Sequence, residues 1–355
     1  MDFTHHHPMQ RYWSLAVASV QADALDTALQ LGLFDALAAP AQADEIAQRL
    51  GLHPANTAHL LELLWSMELL LRTTSASTAT PSAPRYRLAP VAERCMAKDS
   101  PTHCGDAWAY RLRSLRHSGA QMRERVQRGQ GPLAQPPAPH LAATGANWAS
   151  AARVQIGQEQ RAVTVQVACE LLALVPEFAG ARRLLDLGGG PGWVAIGLAQ
   201  AQAQLEGAVF DWPETAAVAR ENIEGAGLSH RLSTIGGDLD QDDLGAGYDL
   251  VWCSSVLHFV PDVAATLRKI HAALRPGGVL VCAHAEVSTA PREAAAVLPY
   301  YLAMRMMGRH VTAEGELALA LSHAGFERIE SMGAAGFPMA PVQVLVARRA
   351  AEDAA

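Results

Sequence analysis

From Gln10 to Leu31 the apolar positions return at the spacing of a single helix face: Leu15, Ala18, Ala22, Leu25 and Leu29. Gly32 is placed to end that helix, and Leu33-Phe34 open a short second one. Two more helical runs follow, Ala43 to Leu52 and His53 to Leu71, joined at a glycine and with a proline near the start of the second. That arrangement predicts a helix-turn-helix. Residues 73–84 are almost all Ser, Thr, Ala and Pro, and Arg85-Tyr-Arg-Leu88 then reads as a short strand. Together these segments predict a winged helix with a floppy wing. Residues 100–150 carry less pattern. Trp108, Tyr110, Arg111 and Arg113 sit on one plausible helix, Gly129 to Pro139 is a Pro/Gly/Gln-rich loop, and residues 148–178 read as one long helix ending at Pro176.

Beyond residue 179 the rhythm changes. Short apolar runs at Leu184–Leu187, Gln204–Phe210, the segment before Gly236, Tyr248–Cys253 and Val279–His284 alternate with helical runs, one of which starts at Pro261 and ends at Arg275-Pro-Gly-Gly278. Glu327–Met332 and Val342–Ala347 make a closing pair. Strands alternating with helices predict a mostly parallel, doubly wound sheet. At 355 residues the chain exceeds the usual single-domain size. The expected division is an N-terminal domain over 1–100, a helical connector and pocket roof over 101–178, and a Rossmann-like α/β domain over 179–349.

Composition narrows the class. Half of the residues are hydrophobic, yet none of the runs reaches the roughly eighteen apolar residues of a membrane span. The first residues lack a basic segment followed by an apolar one, so no secretory signal is expected. The five cysteines are scattered and form no C-x-x-C pair, which reads as reduced thiols in the cytoplasm. His5-His6-His7 needs no function beyond that of a polar terminus. A net charge of -7 argues against a broad grip on nucleic-acid phosphates. Between Leu50 and Leu71 there is no Lys or Arg, and the charges are Glu62 and Glu68. A recognition helix without cations gains little from phosphates or guanine edges, so a platform that buries its leucines against a second copy of the chain is the better expectation.

The most informative stretch is Arg183-Leu-Leu-Asp-Leu-Gly-Gly-Gly-Pro-Gly192, a strand running through glycines into a helix. Glycines are needed where the chain turns sharply and a ligand lies against bare backbone. Dinucleotide folds use the same device, so the loop alone is ambiguous. Asp186 separates the cases. A pyrophosphate would crowd a carboxylate there, whereas S-adenosylmethionine carries an ammonium and a sulfonium, both drawn to an acid. The next strand ends at Asp211, the usual place for an acid that accepts from ribose hydroxyls. Asp238, in Gly236-Gly-Asp-Leu239, is offered to an adenine amino group. The alternative is that these acids only cap helices. The expected cofactor contacts are Asp186, Gly188, Gly190, Asp211, Asp238, Leu239 and Ser254.

With those motifs quoted, the chain resembles the small-molecule O-methyltransferase family of plant caffeate-type and bacterial polyketide and phenazine enzymes. The carriers are Asp186-Leu-Gly-Gly-Gly-Pro-Gly192, Phe210-Asp-Trp-Pro213, Gly236-Gly-Asp238, Val256-Leu-His258, Leu274-Arg-Pro-Gly-Gly278 and, near the N-terminus, Leu31-Gly-Leu-Phe-Asp35. The resemblance implies a Rossmann-like methyltransferase domain, an N-terminal all-α winged-helix dimerisation domain, a homodimer and a small-molecule acceptor in secondary metabolism. It also implies that His258 is a general base, since a pKa near ~6.5 suits proton removal from a hydroxyl. The chain departs from the family around that base: Phe259 follows it instead of an acid, and His284 and His310 stand where glutamates are usual. These two histidines, with Met304 and Met307, are expected to line the acceptor pocket. Three histidines could instead hold a metal, although no metal is expected. C- or N-methylation, other chemistry on the same scaffold, or a DNA-binding regulator stay open as alternatives.

Overall fold

The computed structural model describes residues 7–73, 83–129 and 145–351. Residues 74–82 of the expected floppy wing over 73–84, most of the Gly129–Pro139 loop and His5-His6 lie outside the described residues. The chain divides into two compact units, residues 1–112 and 113–355.

In the first unit α1 (Gln10–Gln30), α2 (Leu33–Ala36), α3 (Ala43–Leu50) and α4 (Pro54–Ser66) are joined by a three-stranded antiparallel sheet of β1 (Ala41–Gln42), β2 (Leu70–Thr73) and β3 (Arg85–Leu88), in the order β1-β3-β2. Gly32 and Gly51 end their helices at φ +70° and +67°, a backbone region where only glycine carries no Cβ penalty. Gln42 and Glu45 form a reciprocal cap at the start of α3. Leu33, Phe34, Ile46, Leu61, Leu64 and Leu70 close the core, and on β3 Tyr86 and Leu88 face in while Arg85 and Arg87 face out. The first half of α1 is different. Trp13, Leu15, Val17 and Val20 are 52–70 % exposed, whereas Leu25 and Ala28 farther along are buried.

The second unit begins in the helix Gly105–Arg128 that the two units share, and continues in a helical run from Gly145 to Ala173. That run is not uniform: Ala152–Ile156 and Gln160–Thr164 are π-helical, and it ends before a 3₁₀ turn at Pro176–Gly180. Nothing in the apolar spacing announced the π turns, which insert one residue per turn and re-aim the side chains that follow.

Seven strands form the central sheet: β4 (Arg183–Leu187), β5 (Glu206–Asp211), β6 (Leu232–Gly236), β7 (Tyr248–Ser254), β8 (Leu274–His284), β9 (Glu327–Ala335) and β10 (Val342–Arg348), in the order β6-β5-β4-β7-β8-β10-β9. The first five in that order are parallel, and β10 runs antiparallel to both β8 and β9. Both faces are covered, by Leu184, Val209, Trp252 and Val281 on one side and Leu185, Phe210, Val251 and Leu280 on the other. Such two-sided burial explains why these strands read as continuous apolar runs and not as alternating ones. The helix Val263–Ala273 stops short of the Pro276-Gly277-Gly278 signal because Leu274 already pairs with Tyr248; the glycines are absorbed as a register shift before Val279 meets Leu250. Among the described residues no helix is long and apolar enough to cross a membrane.

Candidate active site

Because β6, β5, β4, β7 and β8 are parallel, their carboxyl ends share one edge, and the order reverses beside β4, the place where open α/β sheets bind ligands. Gly188, Gly190 and Gly192 leave β4 at φ +66°, +59° and +78°. A Cβ on Gly188 would lie 2.6 Å from the Val256 side chain, so that position is closed to any larger residue twice over. The loop is held from below. The Gly188 amide donates to the Phe210 carbonyl at 2.8 Å, and the Gly190 amide donates to Asp211 Oδ2 at 2.8 Å.

The three acids sit in different environments. Asp186 is 2 % exposed, lies under Gly189 and accepts from the Ala195 amide at 3.3 Å, in the first turn of the helix Trp193–Ala201. A Cβ at Gly189 would come within 2.6 Å of that carboxylate. Burial pushes the Asp186 carboxyl up to about 7, against the opposing pull of the Ala195 amide. Asp211, at the end of β5, accepts from Gly190 on one oxygen and from the Trp212 amide, 2.8 Å away, on the other. Burial pushes it up to about 6 although both amide bonds pull down. The Thr215 hydroxyl also bears on it, and the carboxylate still has lone-pair capacity for a ligand. Asp238 instead organises the turn after β6: its Oδ1 accepts from the Asp240 amide at 2.9 Å, and its own amide donates to Asp242. Leu239 packs half-buried against the core, its carbonyl held by the Lys269 ammonium. Ser254 ends β7, and the next residue, Ser255, is forced to φ +53°, a strained turn of the kind that re-aims chains at functional sites.

That turn delivers His258 on a single 3₁₀ turn, Leu257–Phe259. Its ring packs on Phe259 with centroids 4.1 Å apart and meets Tyr301 and His284 edge-on at 5.5 and 6.4 Å. Trp148 meets Phe259 edge-on at 5.0 Å, and the Arg309 guanidinium lies over that same ring. A cavity of about 10 Å³, room for one water, is lined by His258, His284, Tyr301, His310 and Thr312 among others. The three histidines therefore converge from three separate segments. Burial, then the neighbouring His284 and Arg309, push His258 down to about 3. No carboxylate is among the groups that act on it. His310 points its Nε2 at Glu316, 2.5 Å away. Of the methionines, Met304 packs half-buried beside Tyr301, Val297 and Val311, and Met307 is 46 % exposed at the end of its helix. Neither lines the cavity.

Two features escaped the sequence reading. Gln160, in the second π turn, donates from Nε2 to the Gly189 carbonyl at 3.1 Å and accepts at Oε1 from the Trp193 amide at 3.1 Å. One side chain thus ties both ends of the glycine loop to the preceding helix. A signal existed: Gln155-Ile-Gly-Gln-Glu-Gln160 puts amides in mid-helix, where they are costly unless bonded, and Gln155, Gln158 and Glu159 are indeed buried. Gln160→Ala leaves a loop amide and a carbonyl unpaired, and at about 1–3 kcal/mol for an orphaned group should weaken nucleotide binding roughly 5- to 100-fold. Calorimetric titration checks it; wild-type affinity in the folded variant would show that Gln160 only packs. The second feature is a pair of cysteines beside His284, Cys253 and Cys282.

The chain has relatives among known proteins. A methyltransferase-domain family matches residues 158–331, and the O-methyltransferase dimerisation domain matches residues 13–98. The chain is 32 % identical over 271 residues to the N,N-dimethyltransferase OxyT of Streptomyces rimosus, covering 75 % of each chain. It is 30 % identical to the 3-hydroxy-5-methyl-1-naphthoate 3-O-methyltransferase of Streptomyces sahachiroi, covering 69 % of this chain and 67 % of that one. Human N-acetylserotonin methyltransferase, solved with S-adenosylmethionine, superposes with a TM-score of 0.75 at 19 % identity over 99 % of this chain and 100 % of that one, a likeness of fold.

Proposed function

The chain belongs to the S-adenosylmethionine-dependent methyltransferases that carry an O-methyltransferase dimerisation domain, and from that premise we propose that it methylates a hydroxyl on a small aromatic acceptor, with His258 receiving the proton. The observation that carries the proposal is His258 beside a cavity at the carboxyl edge of the sheet, one strand from the glycine loop. The naphthoate O-methyltransferase among its relatives supports the acceptor class.

The residues present suit the cofactor. Three left-handed glycines leave the loop without side chains, Asp211 has lone pairs to spare for two ribose hydroxyls, and the buried Asp186 lends negative charge from beneath. Asp238 and Leu239 are assigned to the adenine end, and Gly188, Gly190 and Ser254 to the remaining contacts. When bound, S-adenosylmethionine supplies an electrophilic methyl group on a positively charged sulfur. With it in place, the methyl would leave its sulfur, which departs as the neutral thioether, for the acceptor oxygen, and a His258 imidazole nitrogen would take the hydroxyl proton. Burial, His284 and Arg309 hold His258 neutral, the form that can accept the proton. His284 and His310 line the small cavity beside the base and are assigned to the acceptor side, Tyr301 and Phe259 clamp the base, and Met304 backs Tyr301. Met307 is left out of the wall on account of its exposure.

One observation favours a second reading, N-methylation. With no carboxylate acting on His258, an acceptor that attacks as a neutral amine and sheds its proton afterwards needs less of the base, and OxyT is named an N,N-dimethyltransferase. Matched phenol and aniline acceptors with methyl-labelled cofactor separate the two. Label on oxygen alone supports the proposal, and label on nitrogen alone replaces it.

For the domains we propose pairing through 1–100, linking and roofing by 101–178, and catalysis on 179–349. The exposed apolar face of α1 supports a homodimer about a two-fold axis, since isologous contacts bury each such residue twice. Burying a leucine contributes about 1.5–3 kcal/mol, so Leu15→Asp, counted on both copies, should weaken the dimer roughly 100-fold or more. Light scattering should give twice 37.7 kDa for the wild type and a shift toward the monomer for the variant. A wild-type mass of one chain at micromolar concentration would refute the dimer.

A further inference from the structure

Cys253 on β7 and Cys282 on β8 are direct lateral partners in the parallel register. His284 follows Cys282 by two residues on the same strand, which puts it on the same face of the sheet. All three are buried, at 0, 0 and 3 % exposure, and the His284 Nε2 lies 3.7 Å from the Cys253 Sγ. Their ligand atoms lie within 4.8 Å of one another, the one such trio of His, Cys, Asp or Glu donors among the described residues. Isolated buried cysteines behave as small hydrophobes. Two thiols and an imidazole on one patch of backbone are a different case, because rigid neighbouring strands hold the donors before any ligand arrives.

We propose that Cys253, Cys282 and His284 form a binding site for a thiophilic divalent cation, zinc by preference. With bonds of about 2.3 Å to sulfur and about 2.0–2.1 Å to nitrogen, a tetrahedral zinc separates sulfur from nitrogen by about 3.6 Å, close to the spacing already present. Binding exchanges the two thiol protons for the cation. Two thiolates, a neutral imidazole and one divalent ion sum to zero charge, which suits a buried position better than a monovalent cation would. Three protein donors leave one tetrahedral position, and the cavity that His284 lines has room for a single water. The cation would fix the His284 ring toward the sheet, so the site borders the acceptor cavity without depending on the reaction proposed for it.

The test uses full-length reduced protein stripped by a chelator and titrated anaerobically with Zn²⁺, and with Co²⁺ as the spectroscopic probe. One cation per chain with a thiolate-to-cobalt charge-transfer band and tetrahedral d–d bands is expected. The His5-His6-His7 run, able to take up cobalt without thiolates, would give no such band. Cys282→Ser and His284→Gln, each checked for folding by circular dichroism, should lose at least the ~100-fold in affinity that even outer-shell losses reach. Failure of the wild type to bind Zn²⁺ at micromolar concentration overturns the site. So does a charge-transfer band retained in both variants, or two thiols that oxidise to a disulfide and take up no zinc after reduction.

Discussion

Replacing His258 with alanine is expected to lower turnover ~10²–10⁴-fold while cofactor affinity, measured separately by calorimetry, stays nearly unchanged. His258 lies on the 3₁₀ turn after β7 and not in the glycine loop, so its loss removes the proton acceptor but leaves the nucleotide contacts. The pH profile sharpens the expectation. A histidine lowered to about 3 is neutral, and able to accept a proton, at every pH above roughly 4. With cofactor saturating, kcat of the wild type should therefore show no acid limb from this group between pH 8 and 5. His258→Gln, which keeps a hydrogen-bonding tip without a usable base, should be as slow as the alanine variant. An active His258→Ala protein, or a wild-type acid limb centred near pH 8, would take the role away from His258.

Asp211→Ala should weaken S-adenosylmethionine binding ~10-fold or more, since charge-assisted bonds to ribose hydroxyls are worth roughly 1.5–3 kcal/mol and the Gly190 and Trp212 amides lose their acceptor too. The wild type should show the same dependence through pH. Both Asp211, at about 6, and Asp186, at about 7, are raised by burial, so in the free enzyme they take up protons as the pH falls through 7 and 6. Affinity for a ligand bearing an ammonium and a sulfonium is thus fully present above about pH 8 and falls as the pH drops through 7 and 6. Where one ionisation at about 6 is required, binding at pH 5 should be about tenfold weaker than at pH 8. Calorimetric titration at pH 8, 6.5 and 5 reads this directly. Affinity that is flat across that range, or unchanged in folded Asp211→Ala, would sink the assignment. Turnover limited at low pH only by subsaturating cofactor would place the acid limb in kcat/KM, apart from the flat kcat expected of His258.

The layered α/β architecture and the helical N-terminal unit were legible because they rest on local rules. Helical periodicity marks α1, short continuous apolar runs mark the five parallel strands, and left-handed backbone at Gly32, Gly188, Gly190 and Gly192 demands a residue without a Cβ. Asp186 and Asp211 were legible for a related reason: a strand that ends at an acid beside a glycine turn puts that acid at the sheet's carboxyl edge wherever the rest of the chain goes. The π turns were not, because they depend on what the helix packs against. Gln160 became a clasp on Gly189 and Trp193 only once that packing aimed it.

The environment of the base lay beyond local rules altogether. Whether His258, His284 and His310 meet depends on where a 3₁₀ turn, the end of β8 and the loop after the helix Pro291–Met306 arrive in space, and no spacing along the chain encodes that. Met304 lies in the helix Pro291–Met306 and packs beside Tyr301, yet Met307, one residue past its end, is exposed. Departures from the family pattern at Phe259, His284 and His310 showed that an orienting acid was missing, but only packing decided what replaced it: aromatic rings around the base, and burial, a neighbouring imidazole and Arg309, the last three of which disfavour the protonated form. The sequence by itself determined which residue types stand at each strand end, through the backbone conformations and burial periods that those residues impose. The tertiary structure alone decided their protonation and their partners, because desolvation and charge–charge interaction act through space, between atoms that the chain holds far apart along its length.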